Sequence, residues 1–421
     1  MKTPLTVGIV GAGTAGTAAG LLLARAGHQV TIYEKVPDPG PVGAGIVLQP
    51  TGQAVLERLG LLPGVLERGA RIDRLRCITD TGREVFDLDY RPLGRDRFGL
   101  GLHRGVLFQT LLGAARAQDG LTVRCGVDVV EAHDDIDAVT VETATGEHRG
   151  SHDLVVIADG ARSQLRRRGR APYSERPYAW GALWSVAEDR DQVYTEELLQ
   201  ILRDTRSMLG LLPTGRGPEP DSPPQVSLFF SLRADRLADF RTGDLKTWKQ
   251  QVLRDDPRAD FVLDQIHNAE QLVFAQYRHV AMPRWHGQRT VLLGDAAHAM
   301  SPQLGQGCNL ALVDAAVLAD VVAAAPSPRA AVAEYTRTRR AHLRYYQLAT
   351  RGLTPLFQSD HDWLAVLRDR LMPVAARIPW IRRQMCLSMA GHMRGVLRTP
   401  LSLPMLSGEP ALPPGNAQGS A

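Results

Sequence analysis

Lysine is nearly absent: the only lysines in this 421-residue chain are Lys2, Lys35, Lys246 and Lys249, and arginine supplies the rest of its 49 basic residues. Set against 45 acidic residues, they leave a net charge of only +4. A nucleic-acid binder gathers its basic residues on one face or arm. Here the single tight run is Arg166-Arg167-Arg168 with Arg170, which reads as a solvated turn after a strand, so no nucleic-acid partner is expected. Cysteine is scarce as well. Cys77, Cys125, Cys308 and Cys386 stand far apart in no CxxC or Cys/His spacing, which argues against disulfides and metal and for a reducing, cytoplasmic setting. Long unbroken apolar runs are also missing. The stretch 5–26 is divided by glycines into strand, turn and helix, so neither an export signal nor a bilayer span is read there.

What is present is an ordinary globular composition, 44% hydrophobic and 22% charged, in a chain long enough for two interlocked domains. Residues 5–10 and 29–33 are short apolar runs of the kind found in parallel strands buried on both faces, and 14–26 is a helix of small residues. Helices are predicted over 53–59 and 105–117, antiparallel strands over 121–143, and another buried strand over 154–158. From 180 to 277 the pattern changes. Strands at 208–212 and 226–232 flank a Pro- and Gly-rich loop, and 234–263 is mainly helical. A buried strand returns at 290–293, followed by an apolar helix at 309–324 and further helices to 395. The Pro- and Gly-rich tail 407–421 is expected to be disordered.

Gly11, Gly13 and Gly16 form a GxGxxG between the first strand and the first helix, and Glu34 closes the second strand. Gly11 permits the tight turn, Gly13 lets backbone approach a pyrophosphate, and Gly16 lets helix and strand pack closely. The helix N-terminus offers unpaired N–H groups to phosphate, and a carboxylate at 34 accepts hydrogen bonds from ribose hydroxyls. Ala15 and Lys35 flank these contacts. The motif alone leaves NAD and FAD open.

Two further segments favour FAD: 153–163, with Asp159-Gly160 at a strand end, and 293–309, with Asp295, Pro302, Gly305, Gly307, Cys308 and Asn309. With these, residues 7–318 resemble the class A flavoprotein monooxygenases, the family of p-hydroxybenzoate hydroxylase and kynurenine monooxygenase. The resemblance implies an α/β fold. A Rossmann-type FAD-binding domain (1–175 and 280–340) would be interleaved with a mixed-sheet substrate domain (176–279), followed by C-terminal helices (341–406). It implies that Asp159 helps hold FAD, that Asp295 bonds its ribityl chain or ribose, and that 305–309 open a helix toward the flavin ring. Arg104 matches a cofactor-contacting arginine, and Gly45 lies in a loop matching the one that passes the isoalloxazine. Many relatives carry Arg just before that loop, where this chain has Pro41 and Val42.

The implied activity is hydroxylation of an aromatic or polyketide-like small molecule through a flavin C4a-hydroperoxide, consuming O2 and transiently bound NADPH or NADH. No second GxGxxG marks a separate nicotinamide domain. Tyr178, Trp180, Trp184, Met208, Leu211 and Phe229 are the candidate substrate pocket, although period-two apolar residues are also what any sheet core contains. No residue stands out as a catalytic base, and His298 reads as structural. The rival readings are an FAD-containing non-redox cyclase and a lipid-binding non-enzyme of the same fold. Among the C-terminal helices, Leu353, Leu356, Phe357, Trp363, Leu367, Trp380 and Ile381 are expected to pack on the FAD domain, with a lipid or peripheral membrane contact the lesser alternative. The partner is expected to be an aromatic or lipophilic small molecule, and the protein a monomer or homodimer.

Overall fold

In this computed structural model the described residues are 3–41, 43–94, 96–146, 150–169, 171–395 and 401. Val42, Arg170 and the predicted tail 407–421 lie outside them. The chain opens with β1 (Thr6–Val10), α1 (Thr14–Arg25) and β2 (Gln29–Glu34). It then crosses to a second sheet through β3 (Gly45–Leu48), α2 (Pro50–Arg58), α3 (Leu62–Arg68), β4 (Ala70–Thr79), β5 (Glu84–Asp89) and β6 (Gly99–His103). Helix α4 (Arg104–Ala117) returns it to β7 (Leu121–Cys125). A small antiparallel sheet, β8 (Val129–Asp134), β9 (Val139–Thr143) and β10 (Gly150–His152), precedes β11 (Leu154–Ile157) and the short α5 (Gln164–Arg168).

The long β12 (Ser174–Glu188) re-enters the second sheet, followed by β13 (Glu196–Leu202), β14 (Met208–Arg216) and β15 (Pro224–Arg233). Helices α6 (Leu237–Thr242), α7 (Leu245–Asp255) and α8 (Asp260–Asp264) lead to β16 (Val273–Ala281) and β17 (Thr290–Leu292). The chain closes with α9 (Asp295–His298), α10 (Gly307–Ala324), α11 (Pro328–Phe357), α12 (Trp363–Arg377) and α13 (Pro379–Met389).

The first sheet is parallel, in the order β17-β11-β1-β2-β7. Val7, Ile9, Leu154, Val155 and Val156 are fully buried in it, as strands covered on both faces require. The expectation of antiparallel strands throughout 121–143 is corrected here. β7 pairs in parallel with β2, and only β8 and β9 are antiparallel. The second sheet is mixed and nine-stranded, β16-β12-β15-β14-β13-β4-β6-β3 with β5 on β4. Its parallel contact, β13 with β4, joins the middle of the chain to residues 70–79, where no strand was anticipated. β14 also runs on to Arg216, shortening the expected 213–224 loop.

The result is the α/β architecture anticipated: a Rossmann-like parallel sheet, a mixed sheet threaded through it, and C-terminal helices. Among the described residues one helix, Gly307–Ala324, is apolar and long enough to cross a membrane, but 72% of that window is buried in the core. It packs along α1 and α11.

Candidate functional site: a three-turn dinucleotide cradle

At the end of β1, Gly11 has φ 101°, and its N–H donates to the Tyr33 carbonyl. A Cβ on it would lie 2.5 Å from the Ala158 carbonyl oxygen, so the second fingerprint (153–163) abuts the first, the GxGxxG; the third is 293–309. A Cβ on Gly16 would lie 2.0 Å from the Gly11 carbonyl oxygen. Both glycines are demanded by the protein's own packing. Gly13 is not: it is the N-cap of α1, with φ −74°, and a Cβ there would meet nothing within 4 Å. A glycine with no protein neighbour at a helix N-terminus leaves room for a phosphate to reach the backbone. Glu34 accepts from the Ala12 N–H at 2.8 Å and the Val36 N–H at 3.0 Å, which fixes its carboxylate beside the turn with lone pairs to spare. Lys35 is exposed.

In the second fingerprint, Oδ2 of Asp159 accepts from the Gln164 N–H at 3.0 Å, while Oδ1 is buried without a hydrogen-bond partner. Burial raises the Asp159 pKa above the ordinary carboxylate value. An orphaned buried acceptor costs about 1–3 kcal/mol, so its position here marks a place for an external donor. The neighbouring arginine run, expected to be a solvated turn, exposes Arg167 and Arg168 but not Arg166. Arg166 is fully buried and donates to the carbonyls of Ala296 and Ala161 and to Glu175, tying the second fingerprint to the third. Arg167 and Arg278 also bind Glu175. The hydrogen bond from Arg167, joined by Arg166, holds the Glu175 carboxyl down at about 2.

The third fingerprint begins at Gly294, where φ is 58° and a Cβ would come 3.1 Å from the Ala15 methyl on α1. The next residue, Asp295, is exposed, whereas Ala296, Ala297 and His298 behind it are buried. Pro302 starts a 3-10 turn that ends at Gly305, in the left-handed region with φ 60°. A Cβ on Gly305 or Gly307 would meet nothing within 4 Å. Desolvation pushes the Cys308 thiol up to about 12, with Arg104 lowering it and Asp295 raising it, so these three residues share one electrostatic neighbourhood. Arg104 starts α4, its backbone N–H donating to the Ala44 carbonyl and its side chain lying over Gly43. His103 caps that helix by accepting from the Gly105 N–H.

Two predicted residues are committed to the protein itself. Gly45 donates its N–H to Ser227 Oγ, and a Cβ there would strike Thr214 at 2.2 Å. Asn309 donates to the carbonyls of Val47 and Gly305 and accepts from the Gln49 N–H, clamping the start of α10 to β3. Its side-chain donors are thereby used up, and the residue is fully buried.

Behind the site lies a buried network that sequence spacing did not reveal. Asp314 on α10 accepts from Gly294 N–H at 2.9 Å, pairs with His298 at 2.6 Å and with Arg339 at 2.7 Å. His298 and Arg339 hold the Asp314 carboxyl well below its usual range despite its burial. Arg339 also contacts His342, which reaches the Gly391 carbonyl. Asp314, a buried carboxylate in a largely apolar helix, was the visible hint.

The substrate candidates divide by sheet face. Trp184 and Phe229 stack at 4.9 Å and share a cluster with Met208 and with Met372, Ala376 and Met389 of the closing helices. Tyr277, missed by the sequence reading, joins them by accepting from Trp184 Nε1 at 3.3 Å. Leu211 is withdrawn from the pocket: strand alternation turns it to the opposite core, under α6–α8. Trp180 is buried beside Arg233. Tyr178 instead lines a cavity of about 580 Å³ with Arg176, His279 and Arg351. Sequence spacing showed no metal site; on the small antiparallel sheet, Glu131, His133 and Glu142 come close enough to hold a cation.

Comparison with known proteins identifies the family. A family profile described as an FAD binding domain matches residues 4–346. Kynurenine 3-monooxygenase from Salinispora tropica is 31% identical, over 79% of this chain and 76% of its own. The 2-heptyl-3-hydroxy-4(1H)-quinolone synthase of Pseudomonas aeruginosa (strain PAO1) is 28% identical, over 89% and 96%. The structure of Klebsiella pneumoniae HpxO, complexed with FAD and uric acid, shares the fold with a TM-score of 0.75 at 21% identity, covering 92% of this chain and 97% of that one. The chain belongs to the class A flavoprotein monooxygenases, enzymes dependent on FAD.

Proposed function

We propose that this chain is an NAD(P)H- and O2-consuming monooxygenase that hydroxylates an apolar aromatic small molecule. FAD would be held by residues 1–175 and 280–340, and substrate by 176–279 with the closing helices of 341–406. The observation that carries the reading is the meeting of three turns in which Gly13 and Gly307 have neither a packing nor a backbone reason to be glycine and Asp159 keeps an unpartnered buried oxygen. Those features fit a dinucleotide. In this assignment the α1 N-terminus and Gly13 take the pyrophosphate, Glu34 a ribose, Asp295 the ribityl chain, and the backbone of Gly307 and Cys308 the flavin pyrimidine edge, with Asn309 holding that turn in place. Pro302 and Cys308 shape the turn, and Arg104 faces the same neighbourhood. A helix N-terminus contributes up to about 2 kcal/mol toward a negative charge, roughly thirtyfold in an equilibrium.

FAD, when bound, supplies the redox and oxygen chemistry. The protein's share is to position and to exclude water. Trp184, Phe229 and Met208 offer an apolar aromatic wall. Desolvation pushes the Tyr277 phenol up to about 12, so at neutral pH it stays protonated and can donate a hydrogen bond but not act as base. The alkylquinolone named for the Pseudomonas relative is of the apolar class such a wall suits.

The test is to add alkylquinolones and phenols to the FAD-loaded enzyme and follow NADPH or NADH oxidation. We expect one class to stimulate it, and Phe229→Ala to raise KM about tenfold through the lost ring contact. Stimulation that survives the substitution unchanged would move the substrate elsewhere, for instance to the cavity beside Tyr178.

A further inference from the structure

Helix α12 was expected to bury its apolar residues, and half of them do the opposite. Its inner side, through Met372 and Ala376, packs into the cluster that holds Trp184 and Phe229. Buried Arg368 locks that orientation by donating to the carbonyls of Asp204 and Leu356. The outer side is thereby fixed outward. It carries Trp363, Val366, Leu371 and Val374, continued by Ile378 and Trp380 at the turn into α13, each 46–64% exposed. Within α12 a spacing of three to five residues keeps Trp363, Val366, Leu371 and Val374 on one face.

The charges on this stretch have one sign. Between 363 and 383 the exposed ionisable residues are Arg370, Arg377 and Arg383. The only carboxylate in that span, Asp369, is paired with Arg368 and Arg83. Scattered exposed apolar residues need no explanation, but a fixed contiguous face with two tryptophans does. Two copies of it brought together would oppose arginine to arginine, which disfavours self-association. An anionic surface with an apolar interior complements both features, since tryptophan and arginine settle at the headgroup boundary while aliphatic side chains enter the acyl region.

We propose that the outer face of α12 and the start of α13 docks on an anionic lipid bilayer. The same helix then lies with one side on the membrane and the other on the Trp184–Phe229 wall, a short route for a lipid-soluble substrate. The docking claim stands on the exposed face alone and does not depend on the catalytic reading.

The experiment is flotation of the full-length FAD-loaded protein with phosphatidylcholine vesicles and with equimolar phosphatidylcholine–phosphatidylglycerol vesicles. We expect partition onto the anionic vesicles, weakened by salt, with each arginine contributing on the order of fivefold. The triple substitution Trp363→Ser, Leu371→Ser, Val374→Ser is expected to abolish flotation. Flavin absorbance and Tm should stay unchanged, because these side chains are exposed. Arg370→Gln with Arg377→Gln and Arg383→Gln is expected to erase the preference for anionic over neutral lipid. A wild-type protein that stays unbound to the anionic vesicles overturns the proposal. So does a wild-type dimer that the serine variant converts to monomer without any change in flotation, which would assign the face to a second copy.

Discussion

Glycine at position 13 and glycine at position 16 look alike in the motif and do different work. Gly16 is enclosed by the Gly11 carbonyl, so Gly16→Ala should destabilise the fold by about 1–3 kcal/mol, the usual range for overpacking. Gly13 faces open space, so Gly13→Val should leave apo-protein Tm within about a degree while FAD retention falls at least tenfold. Thermal melts of apo- and FAD-loaded protein separate the two effects; equal losses of apo stability would show that Gly13 is a packing glycine. The packing role of Gly16 was legible, because the strand–turn–helix frame sets it. Arg166 was not. A run of three arginines reads as solvated surface, and only the fold shows that the first of them is enclosed by Ala161, Ala296 and Glu175. Glu175 gives a pH signature. Its folded pKa, about 2, is depressed below the unfolded value, so its contribution to stability is full above about 4.5 and is lost as pH falls toward 2. Acid titration of Tm should be shallower over that window in Glu175→Gln, and an unaltered slope would contradict the assignment.

At the level of elements, α10 joins the cradle to the closing helices. Its first turn is clamped to β3 by Asn309, and its middle is tied to α9 and α11 by Asp314. Asp314→Asn leaves Arg339 buried without its counter-charge, a change that costs about 3–5 kcal/mol. Because Asp314 also receives the Gly294 N–H, FAD affinity should fall with stability. A chemical-denaturation midpoint unaffected by the substitution would remove the network from the account. Such links are invisible to sequence periodicity, since Asp314 and Arg339 are 25 residues apart and belong to different helices. The strands at 70–89 were hidden for another reason. β4 carries charges at Arg71, Asp73, Arg74 and Arg76 and is only partly buried, so it shows no clean alternation. α12 exposes a further limit. A helical apolar stripe shows that a face exists but not what covers it, and the stripe at 363–380 faces outward.

Across the whole molecule, the two sheets divide the labour. The parallel sheet and its three turns form the cradle, and the mixed sheet brings Trp184, Phe229 and Tyr277 under the closing helices. The parallel sheet is legible in the sequence from the order of its buried strands and glycine turns. The mixed sheet needed the tertiary pairing of β12, β14 and β15, which decides that Phe229 and Leu211 face opposite ways. The central claim is that this cradle holds a redox-active flavin serving an oxygenation. Its most direct test is to reduce the bound flavin anaerobically with NADPH or NADH in the presence of an alkylquinolone or phenol, admit isotopically labelled ¹⁸O2, and weigh the product. The account predicts reduction by at least one nicotinamide and one labelled oxygen atom in an aromatic product. A firmly bound flavin that neither nicotinamide reduces with any compound of either class would contradict it, and would favour the non-redox use of the same scaffold.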